Sequence, residues 1–414
     1  MRNSLAALLA VLALFLSSTS TAQERLIEDY LDRGELQAAR AAVMESLESN
    51  PTSQELRLQL ALVQVLQAVE GYAQAMYKVG LKESFFGGMI PFLRLPVEPN
   101  PDPTLATNQG VRQSLQQLSV GLAEAQKTLT EIPDSWDGRV PLRLGRIRID
   151  FDGDGVARPK EELWRVLDAI NPGLGIEEKS AAKFGIHLDA GDVRWLEGYC
   201  HLLNALLDVG LAYDTQRLFD HTGHRFFAKT ESPFPFLVPA PVQSPGNEDF
   251  TQALMDGVAF IHLLDLPLME AGRMESAMAH FREVLALSHR SWACILAETD
   301  DTYEWIPNPS QKSAVPGWVV TAEMVNLWME FLAEADSILA GDTLLPFWRN
   351  LPPDQGLNLA KVFSQPQAFD AVLWLQGPGA TPYLEQGKVT KTDFWSLLNR
   401  AFDGQFLGFA LWFN

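Results

Sequence analysis

The sequence predicts a mainly α protein with one small two-stranded insert. Three observations lead to this reading. Apolar residues recur every three or four positions through most of the 414-residue chain, which is the period of a helix with one buried face. The segments between these runs are rich in proline but also in apolar and aromatic residues, so they read as extended connectors packed across helices rather than as flexible spacers. Only the region around residues 143–149 and 184–188 alternates polar and apolar residues with the two-residue period of a strand. The length suits two or three helical subdomains with a substantial core.

Residues 1–22 come first. Arg2, the apolar run Leu5–Leu16 and small residues at Ser20 and Ala22 have the layout of a cleavable secretory signal. The protein is therefore expected to be exported, to a periplasmic or extracellular space, with no integral membrane span, since no later run is apolar for about 18 residues without a charge or a proline. No cysteine lies near the cleavage site, which argues against a lipid anchor. The two cysteines, Cys200 and Cys294, could form one disulfide or remain as two buried thiols. With 32 basic and 52 acidic residues the net charge is −20, and loss of the leader removes only Arg2. Such a balance excludes nucleic acid and anionic membrane surfaces as partners.

Residues 23–135 form the first helical region. Leu26, Tyr30, Gly34, Ala39, Val43, Leu47 and Pro51 mark a helix, a turn and a second helix; one period later come Leu60, Gln64, Ala73, Tyr77 and Leu81, with Ala68 at the turn. A further trace is Leu264, Leu268, Gly272, Ala277, Phe281 and Leu285. This spacing resembles tetratricopeptide helix hairpins, and the resemblance implies stacked hairpins with a groove for a partner. Other helical periods run over Leu105–Leu129, Lys160–Ile170, Val193–Val209, Asp249–Glu270 and Val319–Leu339. The connectors are Pro91–Pro103, Ser232–Pro245 and Trp305–Pro316. Residues 231–414 make a Trp-rich helical region whose aromatic residues read chiefly as core.

Residues 136–230 carry the most specific chemistry. Asp150, Asp152 and Asp154 alternate, Gly155 follows, and Glu161 closes the stretch. This DxDxDG run with a glutamate at the twelfth position resembles the calcium loop of an EF-hand. The resemblance implies side-chain ligands from Asp150, Asp152, Asp154 and Glu161 and a carbonyl from Val156. Arg158 holds the ninth position, where its side chain offers no oxygen, so a water or a carbonyl must serve there. The strand-like Arg143–Ile149 enters the loop, and Pro159 is placed to begin an exit helix. A second strand-turn-helix, Phe184–Val209, has Asp189 and Asp192 but no further acid at loop spacing. Its strand is expected to pair with Arg146–Ile149 and to support the loop.

Helix Val193–Val209 carries Arg194, Glu197, His201, Asn204 and Asp208 on one face, which reads as a solvated stripe. His201, His221 and His224, with Asp220 nearby, are an alternative metal set of the kind zinc hydrolases use. No nucleophile motif, phosphate loop or catalytic set appears, and no organic cofactor is implied. The leading expectation is an exported calcium-binding helical-repeat protein acting as a binding or scaffold module for another exported protein or peptide. An exported metal-dependent hydrolase is the alternative. A third reading is a calcium-independent assembly factor in which the loop only staples the fold. Within the first reading, Trp305 and Trp318, beside the acidic run Glu298, Asp300, Asp301 and Glu304, make the connector between them a candidate partner-binding edge.

Overall fold

Gly34 ends the first helix. In this computed structural model, which describes residues 26–413 apart from 83–92, 94, 96, 166–177, 182, 238–249 and 316, α1 (Glu28–Arg33) stops where Gly34 adopts φ 70°, its N–H donating to the Leu31 carbonyl and the Glu35 N–H to the Tyr30 carbonyl. Helix α2 (Leu36–Ser49) then buries Leu36, Ala39 and Val43, three residues on one stripe. Two helices thus flank the turn at Gly34. No turn follows at the second expected one, because α3 (Gln54–Lys78) runs unbroken through Ala68. Alanine is the best helix former and lacks the left-handed freedom of glycine, so it continues a helix rather than ending one. Its small side chain serves packing instead. A Cβ on Gly121 of α4 (Asn108–Thr130) would lie 2.6 Å from that of Ala68, so the two helices approach closely there.

Strand β1 (Val140–Leu142) pairs antiparallel with β2 (Ile186–Leu188), Val140 opposite Leu188 and Leu142 opposite Ile186. The second strand lies where the sequence places it, but its partner precedes the expected Arg146–Ile149. The reason is Gly145, in a single 3₁₀ turn at Leu144–Arg146. A Cβ there would meet the Ala181 carbonyl oxygen at 1.7 Å, a backbone approach that ends the strand. Helix α5 (Ala190–Leu211) follows β2, then α6 (Gln216–Phe226) and α7 (Phe250–Leu263).

The repeat-like trace at Leu264–Leu285 is not a hairpin. Pro267 keeps Leu266 extended, so Asp265–Leu266 forms β3, and Gly272 lies within the first turn of the single helix α8 (Ala271–Ala297). Helix α9 (Ala322–Ala340) is capped by the Thr321 side chain at one end and by left-handed Gly341 at the other. Beyond it lies more strand than the sequence suggests. Strands β4 (Leu345–Pro346), β5 (Gln355–Leu357) and, later, β7 (Leu384–Gln386) form an antiparallel sheet, and β6 (Phe369–Asp370) pairs with β3. Each is too short to display a period. The intervening and terminal helices are α10 (Leu359–Ser364), α11 (Ala371–Gln376), α12 (Thr392–Ala401) and α13 (Phe406–Phe413).

The fold is mainly helical. The chain divides into two compact units, one built from residues up to 70, 121–197 and 290–320, the other from 71–120, 198–289 and 321 onward. The first holds α1, α2, the β1–β2 pair and the acidic loop. In the second, Trp328 is buried, its indole N–H donates to Ser288 Oγ at 3.1 Å, and Phe331, Phe406 and Phe413 surround its ring. Cys200 is buried, Cys294 half-buried, and both are free thiols. Among the described residues no helix is long and apolar enough to cross a membrane. The leader at 1–22, much of the Lys160–Ile170 helix and parts of the Pro91–Pro103 and Ser232–Pro245 connectors lie outside the described residues.

Candidate metal centre

The acidic loop is closed at its base by backbone. Ile149 N–H donates to the Glu161 carbonyl at 3.0 Å and Leu163 N–H to the Ile147 carbonyl at 2.8 Å, with Arg148 and Glu162 bridged between them. Entry is therefore extended, as the sequence suggests. The exit differs: Pro159–Glu161 is one 3₁₀ turn, Glu162 is extended, and helix resumes only at Leu163. Closing the base requires Glu162 in the ladder, which delays the helix.

Inside this frame the carboxylates organise the turn. Asp150 is buried; its Oδ1 accepts from Gly153 N–H at 2.8 Å and its Oδ2 from Gly155 N–H at 2.9 Å. Both glycines have positive φ, 74° and 85°, which lets the chain fold around that carboxylate. Asp152 Oδ1 accepts from Asp154 N–H at 3.2 Å, and Asp154 Oδ1 from Val156 N–H at 2.9 Å. Glu161, also buried, accepts from Phe151 N–H at 3.0 Å and from Arg158 N–H at 2.8 Å. Phe151 is inserted into the core. Every carboxylate oxygen can accept a second partner, so these bonds shape the turn without exhausting the carboxylates.

Oxygens of Asp150, Asp152 and Asp154 lie within 4.8 Å of one another. The Arg158 guanidinium is directed at two of these three residues, Asp152 and Asp154. Its Nη2 is bonded to Asp154 Oδ2, and its Nη1 lies 3.2 Å from the Val156 carbonyl, 3.5 Å from Asp152 Oδ2 and 4.0 Å from Glu161 Oε2. The hydrogen bond to Arg158 holds the Asp154 carboxyl below its ordinary range, and the same bond raises the guanidinium. One further acid was not visible in the sequence. Glu70, inside α3, accepts from Asp150 N–H at 3.2 Å, and burial pushes its carboxyl up to about 7. Nothing in the helical period of α3 distinguishes it. As a donor set the loop suits a hard divalent cation, which takes six to eight oxygens and no nitrogen or sulfur.

A second group of acids converges elsewhere in the same unit. Oxygens of Asp189, Glu298 and Glu304 also lie within 4.8 Å of one another. Asp192 completes the group, its Oδ2 accepting from Asp189 N–H at 3.2 Å. Burial raises all four carboxyls, Glu298 to about 9 and Asp192 well above its usual range, and the mutual charges of the group add to this. Glu298 shares a hydrogen bond with Asp189 and accepts from Gln311 at 3.2 Å. Burial thus favours the protonated form of these carboxyls. The sequence contains both halves, Asp189 with Asp192 and the run around Glu298, but only the fold joins them.

The helix face bearing Arg194 is not solvated. Arg194, Glu197, Asn204 and Asp208 are all buried. Arg194 is bonded to Glu197, Asp134 and the Leu129 and Ile132 carbonyls, and Asp208 is paired with Arg273 at 2.9 Å. A polar stripe at helical spacing looks the same in sequence whether it faces water or a buried ion network. His201 Nδ1 lies 2.8 Å from His280 Nδ1. His221 Nδ1 is bonded to the Arg217 carbonyl, and buried His224 faces Asp256 at 3.8 Å. Among the described residues no group of three or more metal-binding side chains includes a histidine. Trp305 is packed against the rings of Phe184 and Trp195, so that part of the connector belongs to the core.

No family model matches the chain, and no curated protein or solved structure shows significant similarity to it.

Proposed function

We propose that the protein is an exported calcium-binding helical protein that acts as a binding or scaffold module, with residues 150–161 as its cation site. The observation that carries the calcium reading is the convergence of Asp152, Asp154, Glu161 and the Val156 carbonyl on one positively charged group, Arg158. The loop is already arranged to surround a cation. Asp150 supplies the remaining carboxylate, and the donor set is oxygen alone, which favours calcium over zinc. Export into a calcium-rich space agrees with an affinity on the order of 10⁻⁴ to 10⁻³ M.

Titration calorimetry of the full chain should find one calcium ion bound. Glu161→Gln, which removes a charge from the closing position, should weaken binding by about tenfold or more. Asp152→Asn, at a more exposed ligand, should do the same while sparing the hydrogen bonds that Glu161 makes to backbone. Unchanged affinity in both variants would reject the site. The partner of the module should be basic, given a net charge of −20. Its association should slow as salt rises, because steering between exposed charges is screened beyond about 8–10 Å at ordinary ionic strength.

A further inference from the structure

Arg158 stands at the ninth position of the loop, where an EF-type site needs an oxygen, and its guanidinium reaches several of the sequence-expected ligands. Nη2 is bonded to Asp154, and Nη1 lies 3.2 Å from the Val156 carbonyl, 3.5 Å from Asp152 and 4.0 Å from Glu161. Four expected ligands thus face one guanidinium. We propose that Arg158 is a tethered counter-cation: it occupies the calcium position, holds the loop closed without metal, and must swing out for calcium to enter. The inference rests on the calcium reading above and adds a residue that sets the threshold of the site.

The geometry supplies the means for this exchange. The side chain is 39 % exposed and its contacts with Asp152 and Asp154 lie at the open side of the loop, so the guanidinium can leave without opening the core. The backbone around it is fixed independently. Arg158 N–H bonds Glu161 Oε2, and Asp150 organises Gly153 and Gly155 through its own two oxygens, so the cage survives when the guanidinium departs. A guanidinium also satisfies carboxylates with directed N–H bonds but cannot gather six or more oxygens around one centre, as calcium does. The two cations therefore compete for the same oxygens and do not share them.

Calorimetric calcium titrations of the full-length wild type, Arg158→Gln and Arg148→Gln test this. Arg148 is a neighbouring cation that pairs with Glu162 at 3.7 Å, outside the cage. Arg158→Gln should bind calcium about tenfold more tightly than wild type, while Arg148→Gln should change affinity by less than about twofold, since Arg148 pairs with Glu162 and makes no contact with the loop carboxylates. Thermal melts give a second signature. In chelator Arg158→Gln should melt below wild type, because its carboxylates are left without a counter-charge, and in saturating calcium the difference should vanish. Calcium binding by Arg158→Gln where wild type binds none would also support the proposal. Equal affinity of wild type and Arg158→Gln, or an equal gain in Arg148→Gln, would overturn it and leave the calcium site standing. Absence of calcium binding in both wild type and Arg158→Gln would overturn the site and this inference together.

Discussion

Gly34 matters for two separate reasons at the scale of one residue. Its φ of 70° is a conformation that side chains other than glycine's rarely adopt, and a Cβ there would lie 2.2 Å from that of Ala157 in the acidic loop. Gly34→Ala should therefore destabilise the first unit by about 1–3 kcal/mol, combining backbone strain with overpacking. The two causes can be separated. Ala157→Gly in the same chain should recover the steric part and leave the strain, so a double-mutant cycle in urea should return a coupling energy of at least about 0.5 kcal/mol. Independent effects would show that the two residues do not press on one another. The sequence marks Gly34 as a turn glycine, because the helical pattern breaks there. It gives no hint that the turn rests against residue 157, since that contact depends on how the loop is folded back.

At the scale of elements, the acids that join the start of α5, the end of α8 and the following connector should make stability depend on pH. Glu298 titrates near 4.5 when unfolded and near 9 when folded. Between those values the folded state holds a proton that the unfolded chain has released, so stability is greatest below about 4.5 and falls as pH rises towards 9. Asp189, Asp192 and Glu304 shift in the same direction. Calorimetric melts between pH 5 and pH 9 should fall by about 3–6 °C from this group. Glu298→Gln keeps a hydrogen-bonding amide but cannot ionise, and its curve should be flatter; identical slopes for variant and wild type would refute the account. Here lies the limit of what sequence reveals. Helices with a clear stripe, such as α4 and α9, were legible because one face alone is buried, whereas α5 was legible from its apolar period although its polar face is buried as well. The acid group was not, because its members come from segments far apart in the chain. Proline and glycine explain most of the departures: Pro267 keeps an expected helix from reaching Glu270, Gly145 displaces a strand pair, and the alanine at position 68 continues a helix where a turn glycine was needed. The clustering of the loop acids was legible because their spacing is local; the placement of the Arg158 guanidinium among them was not, because spacing does not say where a side chain turns.

For the molecule as a whole, calcium should stabilise without reshaping. Sensor hands respond to calcium by swinging helices apart and exposing an apolar groove. This loop has no incoming helix to swing. Its entering and leaving segments are tied together by the Ile149–Glu161 and Ile147–Leu163 hydrogen bonds, and Phe151 anchors its first turn in the core. What moves on binding is the Arg158 side chain, at the surface. Calcium that binds only the folded chain should then raise stability by about 2.7 kcal/mol at a hundredfold excess over its Kd, a shift of several degrees in the melting temperature. A dye that reports exposed apolar surface should bind equally with calcium and with chelator. A melting shift with unchanged dye signal would fit a cation that braces a scaffold. A calcium-dependent rise in dye binding would instead require helices to part, and with it a signalling role that the closed base of this loop does not allow.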